Sequence, residues 1–373
     1  MGGTAATVPS DNALAPLSNP GQLGLFTLNS LFNAETYAPK TQWLPQFHLD
    51  GLTYSSEAVN AGINLGSLLE LPFSMSAGIG YSKVDLELGE FSVTDETGPV
   101  PIGQYQASEK SDNVSAAIGF EYYARVGLGW NFKKIRSELS SSAAANATDF
   151  GVLVDVPVMK IASSLADEDF EIAPRVSPLL NLSFSNVRSN VGGEIAYLGA
   201  AQGDPLPRTA ILGGSIEGGL LLRMGTSDRK LITFTLIRQA DDLLVTRYSS
   251  GAFSYQSGLG DIAFVHDVIL GKTGASVNIR KGWQIQVVEA LYVRGGSVDG
   301  PGLAYSTAGF SICLRGLARL VALAGSHPPE PWLQYFVDHF DIQYHYSSYS
   351  SLESPIDATT TGSVNLVMDG FLF

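Results

Sequence analysis

Apolar and polar residues alternate in short runs along most of this chain. The clearest run spans residues 125–133, in which four apolar side chains alternate with small or polar ones; the apolar residues are Val126, Leu128, Trp130 and Phe132. Successive side chains of a β-strand point to opposite faces, so a period of two predicts a strand with one apolar and one small, polar or charged face. Such a strand suits either a soluble sheet or a barrel with lipid outside and a polar lumen inside.

The same alternation recurs almost from end to end. Further runs cover residues 59–66, 73–82, 114–120, 150–156, 180–185, 232–236, 277–279, 283–287, 310–314 and 340–346. Together these runs predict about 12 to 16 short strands and an all-β fold. Two polar stretches, residues 90–112 and 163–173, are rich in turn formers and acidic side chains, and we expect long loops there.

Composition favours the membrane over a soluble sheet. Charged residues make up 16% of the chain and apolar residues 45%, whereas ordinary globular chains carry about 25% charged residues. The polar faces of the runs consist mainly of Gly, Ser, Asn and Thr, which suit a packed barrel interior better than a water-facing sheet. No apolar run of about 20 residues exists, so no transmembrane helix is expected. We predict a transmembrane antiparallel β-barrel; the alternative is a soluble or secreted multi-sheet protein.

Aromatic residues and the last residue add to this prediction. Aromatic side chains fall near strand ends, where girdles at the two bilayer interfaces would place them; they are Trp43, Tyr81, Tyr122, Tyr123, Trp130, Trp283, Tyr344 and Tyr346. In the run 125–133 we expect the four apolar side chains to face outer-membrane lipid and the residues between them to face the lumen. Phe373 resembles the terminal assembly signal of outer-membrane barrels. The start shows no signal peptide, and we expect a mature or trimmed chain.

Residues 1–40 show no sustained alternation, and we expect short helical turns there, followed by a barrel domain over residues 41–373. Asp11, Asn19, Pro20 and Gly21 stand in this first segment. The run from Asp11 to Leu23 resembles the opening of FadL-like outer-membrane proteins, in which an Asp-x-Ala segment precedes Asn-Pro-Ala-Gly-Leu. The resemblance implies that residues 1–40 form a small plug inside the barrel.

Later segments are similar to the PorV/PorQ branch of that superfamily. They are residues 127–133, 185–192, 205–213 and 306–310. This resemblance implies a barrel of about 14 strands in the bacterial outer membrane. It also implies an accessory of a type IX secretion translocon, which docks a large translocon subunit or the C-terminal domain of a secreted cargo protein. The alternative function is that of FadL itself, inward transport of hydrophobic small molecules.

Charge and motifs exclude several other classes of function. The formal net charge is -14, whereas nucleic-acid binding requires clustered Lys and Arg. The single cysteine, Cys313, excludes an internal disulfide, and we expect it to be packed in the wall. Neither H-E-x-x-H nor G-x-S-x-G occurs. We therefore expect no enzymatic activity, no cofactor and no metal.

Three polar groups have an ordinary and a functional interpretation. His339, Asp341, Gln343 and His345 share one strand face, and we favour lumen polarity over metal binding there. The acidic run 167–171 is expected to be a solvated loop rather than a calcium site. A basic group could hold lipid phosphates or pair with lumen acids, and we favour anchoring at the membrane interface; its members are Arg125, Lys133, Lys134 and Arg136.

Overall fold

The computed structural model describes residues 1–47, 51–94, 100–139, 141–197, 203–224, 227–249, 252–274, 276–301, 303–324, 331–351 and 355–369. The strands are β1 (Ser30–Tyr37), β2 (Thr41–Gln42), β3 (Leu52–Asn64), β4 (Ser74–Thr94), β5 (Pro101–Glu121), β6 (Arg125–Glu138), β7 (Ser142–Pro157), β8 (Val176–Gly192), β9 (Glu194–Ala196), β10 (Gly203–Pro205), β11 (Thr209–Met224), β12 (Ser227–Leu243), β13 (Val245–Arg247), β14 (Phe253–Tyr255), β15 (Val277–Val287), β16 (Leu291–Gly300), β17 (Leu303–Cys313), β18 (Phe340–Ser350) and β19 (Thr360–Asp369).

The helices are short and lie before or between the strands. They are α1 (Ala15–Ser18), α2 (Gly21–Phe26), α3 (Leu65–Leu68), α4 (Val158–Ala166), α5 (Leu314–Ala324) and α6 (Pro331–His339), with a 3₁₀ turn at Pro45–Phe47 and a π-helical turn at Phe264–Ile269. Among the helices of the described residues, none combines the length and the apolar character needed to cross a membrane.

Fourteen strands form a closed antiparallel barrel, which confirms the predicted fold class. Strand β1 pairs on one side with β19, for example Asn33 with Val367, and on the other with β3, for example Asn33 with Asn60. The remaining wall strands, β4 to β8, β11, β12 and β15 to β18, follow one another by antiparallel pairing. Closure pairs the backbone groups that an open sheet would leave at its edges, and this is what allows strands to cross lipid.

Strand β1 shows that the barrel begins earlier in the chain than the sequence predicted. It begins at Ser30 and pairs along almost its whole length with β19. The predicted boundary at residue 40 is therefore wrong, because only residues 1–29 precede the wall. The alternation in β1 escaped notice since its side chains read Ser-Leu-Phe-Asn-Ala-Glu-Thr-Tyr, with a polar residue on each face.

The two faces of the wall differ in the way that the alternation predicts. On β6, Asn131 is 0% exposed, whereas its neighbour Phe132 is 57% exposed on the outside. Exposed apolar side chains occur on the outer face of most wall strands and form what we call the apolar belt; examples are Ile79, Phe132, Phe184, Ile216, Phe234 and Ile285. Soluble proteins rarely expose so large an apolar surface to water, so the wall is of the transmembrane type.

The connections divide between the two ends of the barrel. One end, called the α5 end, carries α3, α4, α5 and α6; the other, called the hairpin end, carries the turn between β4 and β5 and the connections that contain β9, β10, β13 and β14. The long loop predicted over residues 90–112 is wrong, because β4 and β5 run through most of it. The loop predicted over 163–173 is partly helical, because α4 continues to Ala166.

Candidate functional site in the lumen and at the rims

The N-terminal segment, residues 1–29, lies inside the barrel and touches several sides of its wall. Asn131 on β6 donates a hydrogen bond to the Pro16 carbonyl at 2.8 Å. Thr7 Oγ1 lies 2.9 Å from Ser185 Oγ on β8. Gln343 on β18 donates to Asp11 at 2.8 Å. These contacts reach inward-facing residues on well-separated strands, so the segment crosses the lumen.

The four residues of the predicted plug motif all take part in these contacts. The Asn19 amide donates to the Ala6 carbonyl at 2.8 Å and the Val152 carbonyl at 3.2 Å, and its Oδ1 accepts from the Gly21 amide at 2.9 Å. Asparagine thus closes the turn that Pro20 starts and ties it to β7. A side chain at Gly21 would meet the Gly127 carbonyl, so glycine is required there.

Strand β6 is glycine-rich on its inner face because α2 packs directly on its backbone. A Cβ added at Gly129 would lie 2.2 Å from the Pro20 carbonyl oxygen, and one at Gly127 would lie 2.0 Å from that of Gly21. The pattern predicted small inward residues on this strand, but it did not indicate that a helix fills the space above them. Leu25 of α2 completes the contact by packing with Leu153 of β7.

The opposite side of the lumen holds a cavity instead of packed helix. Its volume is about 690 Å³, and it lies between the N-terminal segment and the inner faces of β1, β11, β12 and β15 to β19; at the α5 end it also reaches Arg125 on β6 and Asp155 on β7. Many charged side chains line it, beside apolar ones such as Leu25, Phe26 and Val367; the charged residues are Asp11, Glu35, Arg125, Asp155, Glu217, Arg229, Lys230, Glu289, Arg294, Arg315, Arg319, Asp341 and Asp369. Charges in such a place need ion pairs, hydrogen bonds or water.

Ion pairs account for many of these charges. Lys230 pairs with Glu217 at 2.6 Å, and Arg319 pairs with Glu289 at 2.7 Å. Arg125 pairs with Asp155. Outside the cavity, Lys133 pairs with Asp149 at 2.7 Å. For Arg125 and Lys133, the favoured interfacial anchoring is therefore wrong, because both share the inward parity of Asn131 and pair with lumen acids.

The polar face of β18 contributes to the same lumen network. Asp341 accepts from Gln343 at 2.9 Å, and His345 Nδ1 lies 2.6 Å from Ser311 Oγ. Arg294 donates to that same Ser311 oxygen at 2.5 Å. Within the described residues, no three His, Cys, Asp or Glu side chains are placed to hold a metal ion. Cys313 is buried nearby as a free thiol.

Two loops of the hairpin end pack on the wall, one on its inner face and one on its outer face. Ile195 of β9 and Leu206 pack on Ala145 and its neighbours on the inner face of β7. In the connection between β12 and β15, Ile262 and Val268 pack on outer-face residues of β11, β12 and β15. Apolar loop contacts therefore cover the lumen only on the β7 side of this end.

A two-stranded ribbon extends beyond the wall at this same end. Pairing of β4 with β3 stops at Leu88, and pairing of β5 with β6 stops at Ser108, yet β4 and β5 remain paired to Thr94. We call residues 89–94 and 100–107 the free hairpin. Phe91 and Tyr105 stack across it at 5.6 Å. Sequence reasoning missed it because its polar residues, glycines and prolines indicate a loop, in spite of a short alternation at Phe91 and Val93.

The remaining predicted residues have different outcomes. Val126 and Leu128 are half-buried on the outer face of β6, next to the more exposed Trp130 and Phe132, so all four share the outward side; their contact with lipid stays a prediction. Phe373 lies outside the described residues. In the acidic run, Asp169 pairs with the exposed Arg223 at 3.2 Å.

Comparisons with known proteins give only distant likeness. No protein-family model matches this chain, and no curated protein matches it. Among solved structures, the toluene transporter TodX of Pseudomonas putida is 10% identical to this chain, with a TM-score of 0.37. The match covers 99% of this chain and 97% of the TodX chain. The translocator domain of the autotransporter NalP from Neisseria meningitidis is 11% identical to this chain, with a TM-score of 0.35. The match covers 91% of this chain and 87% of the NalP chain.

A mutant porin of Rh. blastica is 9% identical, with 92% of this chain and 99% of its own covered and a TM-score of 0.30. A closed wall, an outer apolar belt and a polar lumen define this chain as a β-barrel of the outer-membrane type.

Proposed function

We propose that this protein is an outer-membrane barrel that docks other proteins at its hairpin end. In this proposal it acts as an accessory of PorV/PorQ type in a type IX secretion translocon, without enzymatic activity or cofactor. The observation that carries the proposal is the free hairpin on a barrel whose lumen is occupied. Loops and ribbons carry recognition when a rigid scaffold presents them.

The free hairpin supports docking because a two-stranded ribbon with exposed apolar side chains is unstable in water. An isolated two-stranded ribbon is marginally stable at best. This one exposes Val100 by 71% and Ile102 by 64%, and both of its edges lie beyond the neighbouring strands. A partner that covers these side chains, or adds a strand to one edge, would stabilise the ribbon. A large translocon subunit or the C-terminal domain of a secreted cargo protein would be such a partner.

The lumen gives less support to the alternative, transport of hydrophobic small molecules. Transport requires a path that apolar solutes can enter, whereas the cavity is lined by charged side chains such as Arg294 and Asp341. The packing of α2 on β6 and β7 occupies the other side of the lumen. A docking protein needs no continuous path, so an occupied lumen is compatible with its role.

A crosslinking experiment tests the proposal. A photoreactive phenylalanine analogue replaces Ile102 on the free hairpin, and a matched variant carries it at Val265, which is equally exposed on another loop of the same end. In native membranes, the Ile102 variant is expected to trap a translocon subunit or a cargo C-terminal domain, and the Val265 variant is expected to trap less. Replacing both Val100 and Ile102 by Ser should reduce secretion while the barrel keeps its heat-modifiable mobility.

Two results would contradict docking. One is equal crosslinking from both positions together with unchanged secretion by the Ser variant. The other is a purified protein that carries bound fatty acid, with a deletion strain that loses only the uptake of hydrophobic compounds; the transporter would then replace the docking proposal.

A further inference from the structure

Helix α5 connects β17 to α6 at the α5 end, and two arginines fix its rotation. Arg315 pairs with Asp369 and donates to the Phe340 carbonyl at 3.1 Å, while Arg319 donates to Glu289 at 2.7 Å. Both arginines line the lumen cavity. The polar side of α5 therefore faces the inside of the barrel.

The helix also lies close against the wall. A Cβ added at Gly316 would meet the Glu289 carbonyl carbon and oxygen at 2.4 Å, so the backbone of α5 rests on the turn between β15 and β16. Burial lowers the pKa of Arg319, and the neighbouring charges of Arg229 and Arg315 lower it further. The pairing with Glu289 opposes that cost, so the arginine side is held in place by contacts on the lumen side.

The opposite side of α5 is apolar and uncovered. An α-helix turns by about 100° per residue, so Arg315 and Arg319 lie about 40° apart. The directions of Leu314, Leu317, Leu320 and Val321 centre on the other side of the helix. All four are exposed, and Val321 reaches 72%. Since the arginines point inward, this apolar side points away from the barrel axis.

This side continues the apolar belt of the wall. Phe310 and Ile312 face outward on β17, and Leu314 follows them at the start of α5. In α6, which packs against α5, Trp332 is 69% exposed. Other connections of the same end also expose apolar side chains, and these are Leu68, Leu69, Tyr122, Tyr123 and Leu165. The rim is thus apolar at several separate connections, as expected where a bilayer meets a barrel.

We propose that α5 is an interfacial helix, which lies along the membrane surface with Leu317 and Val321 in the boundary between lipid headgroups and acyl chains. Amphipathic helices bind there by burying an apolar face while the polar face stays in a polar environment. In this protein the polar environment is the lumen cavity instead of bulk water. The occupant of the apolar side is phospholipid, because that side is continuous with the belt that lipid covers.

Fluorescence quenching tests this proposal in the full-length protein. In a Cys313→Ser background, single cysteines replace Val321, the belt residue Phe234 and the exposed Asp338 of α6, and each receives a bimane label. The labelled proteins are reconstituted in phosphatidylcholine nanodiscs, and retained heat-modifiable mobility shows that each barrel is folded. Brominated acyl chains and aqueous iodide are the two quenchers.

The label at Val321 is expected to be quenched by brominated lipid as at Phe234, and to lose the iodide quenching seen at Asp338. Iodide quenching at Val321 equal to that at Asp338 would overturn the proposal, because the side would then face water. Protection from both quenchers would also overturn it, because protein rather than lipid would then cover the helix.

Discussion

The space inside the barrel is occupied differently on its two sides. On the side of β5 to β7, the wall is rich in inward glycine, and α2 lies on the strand backbone with contacts such as Gly129 to Pro20. On the side of β15 to β19, the wall carries charged side chains around a cavity of about 690 Å³. Inward glycines such as Gly127 and Gly129 therefore mark where another backbone packs, whereas charges such as Arg294 and Asp341 surround the open cavity.

The largest expected effect of a single substitution is at the packed side. Gly129→Val would place a branched side chain against the Pro20 carbonyl, so the start of α2 would have to shift away from β6. Overpacking of this kind costs about 3 kcal/mol or more in severe cases. The measurement is the temperature at which the heat-modifiable gel band is lost. Gly218→Val is the control, because no atom lies within 4 Å of a Cβ there; equal losses would contradict the packing of α2.

The outer face of β6 gives the next effect. Leu128→Arg places a charge on the side that the alternation assigns to lipid, at a cost of about 2–4 kcal/mol near the bilayer midplane. Assembly into liposomes, followed by gel mobility, measures it. The matched change is Ser215→Arg, since Ser215 lines the cavity and its new charge can be hydrated. If Ser215→Arg assembles as poorly as Leu128→Arg, the assignment of the two faces is wrong.

Asn131→Arg is a poorer control than the alternation alone would indicate. Asn131 faces inward, but it is fully buried beneath the N-terminal segment and donates to Pro16. We therefore expect this substitution also to impair assembly, through displacement of the segment rather than through lipid.

A smaller effect separates buried from exposed ion pairs. Lys133→Met leaves the buried carboxylate of Asp149 without its cation but with its hydrogen bonds from Asn131 and Asn190. The loss of one partner by a buried charged acceptor costs about 1–3 kcal/mol. Arg247→Met breaks the exposed pair with Asp204 at 3.0 Å, and such pairs contribute about 0–1 kcal/mol. Urea denaturation in detergent compares the two variants. Equal midpoints would show that Asp149 is hydrated and that the lumen near β6 is open.

The sequence predicted the wall better than it predicted what the wall surrounds. Alternation on β6 gave the strand and the direction of both faces, because lipid and lumen impose opposite polarity on neighbouring residues. It could not give the ion pair of Arg125 with Asp155, since those residues are 30 positions apart and meet only through strand register.

The free hairpin and α5 escaped prediction for different reasons. In the ribbon, Phe91 and Val93 do alternate with polar residues, but the two glycines and two prolines of the run 98–103 indicate a loop. In the sequence, the run 314–324 is mostly apolar and is interrupted by two arginines. Its amphipathic character indicates an outward apolar side only when the structure shows that Arg315 and Arg319 face the lumen.

Single-channel conductance in planar bilayers tests most directly the central claim, that residues 1–29 fill one side of the lumen. The intact protein is compared with a chain that lacks residues 2–29 and keeps its heat-modifiable mobility. Removing α2 and its contacts with β6 should join the vacated space to the charged cavity, so the deleted chain is expected to conduct much more than the intact one. An unchanged conductance from a folded barrel would contradict the account, because the lumen would then be closed by something other than this segment.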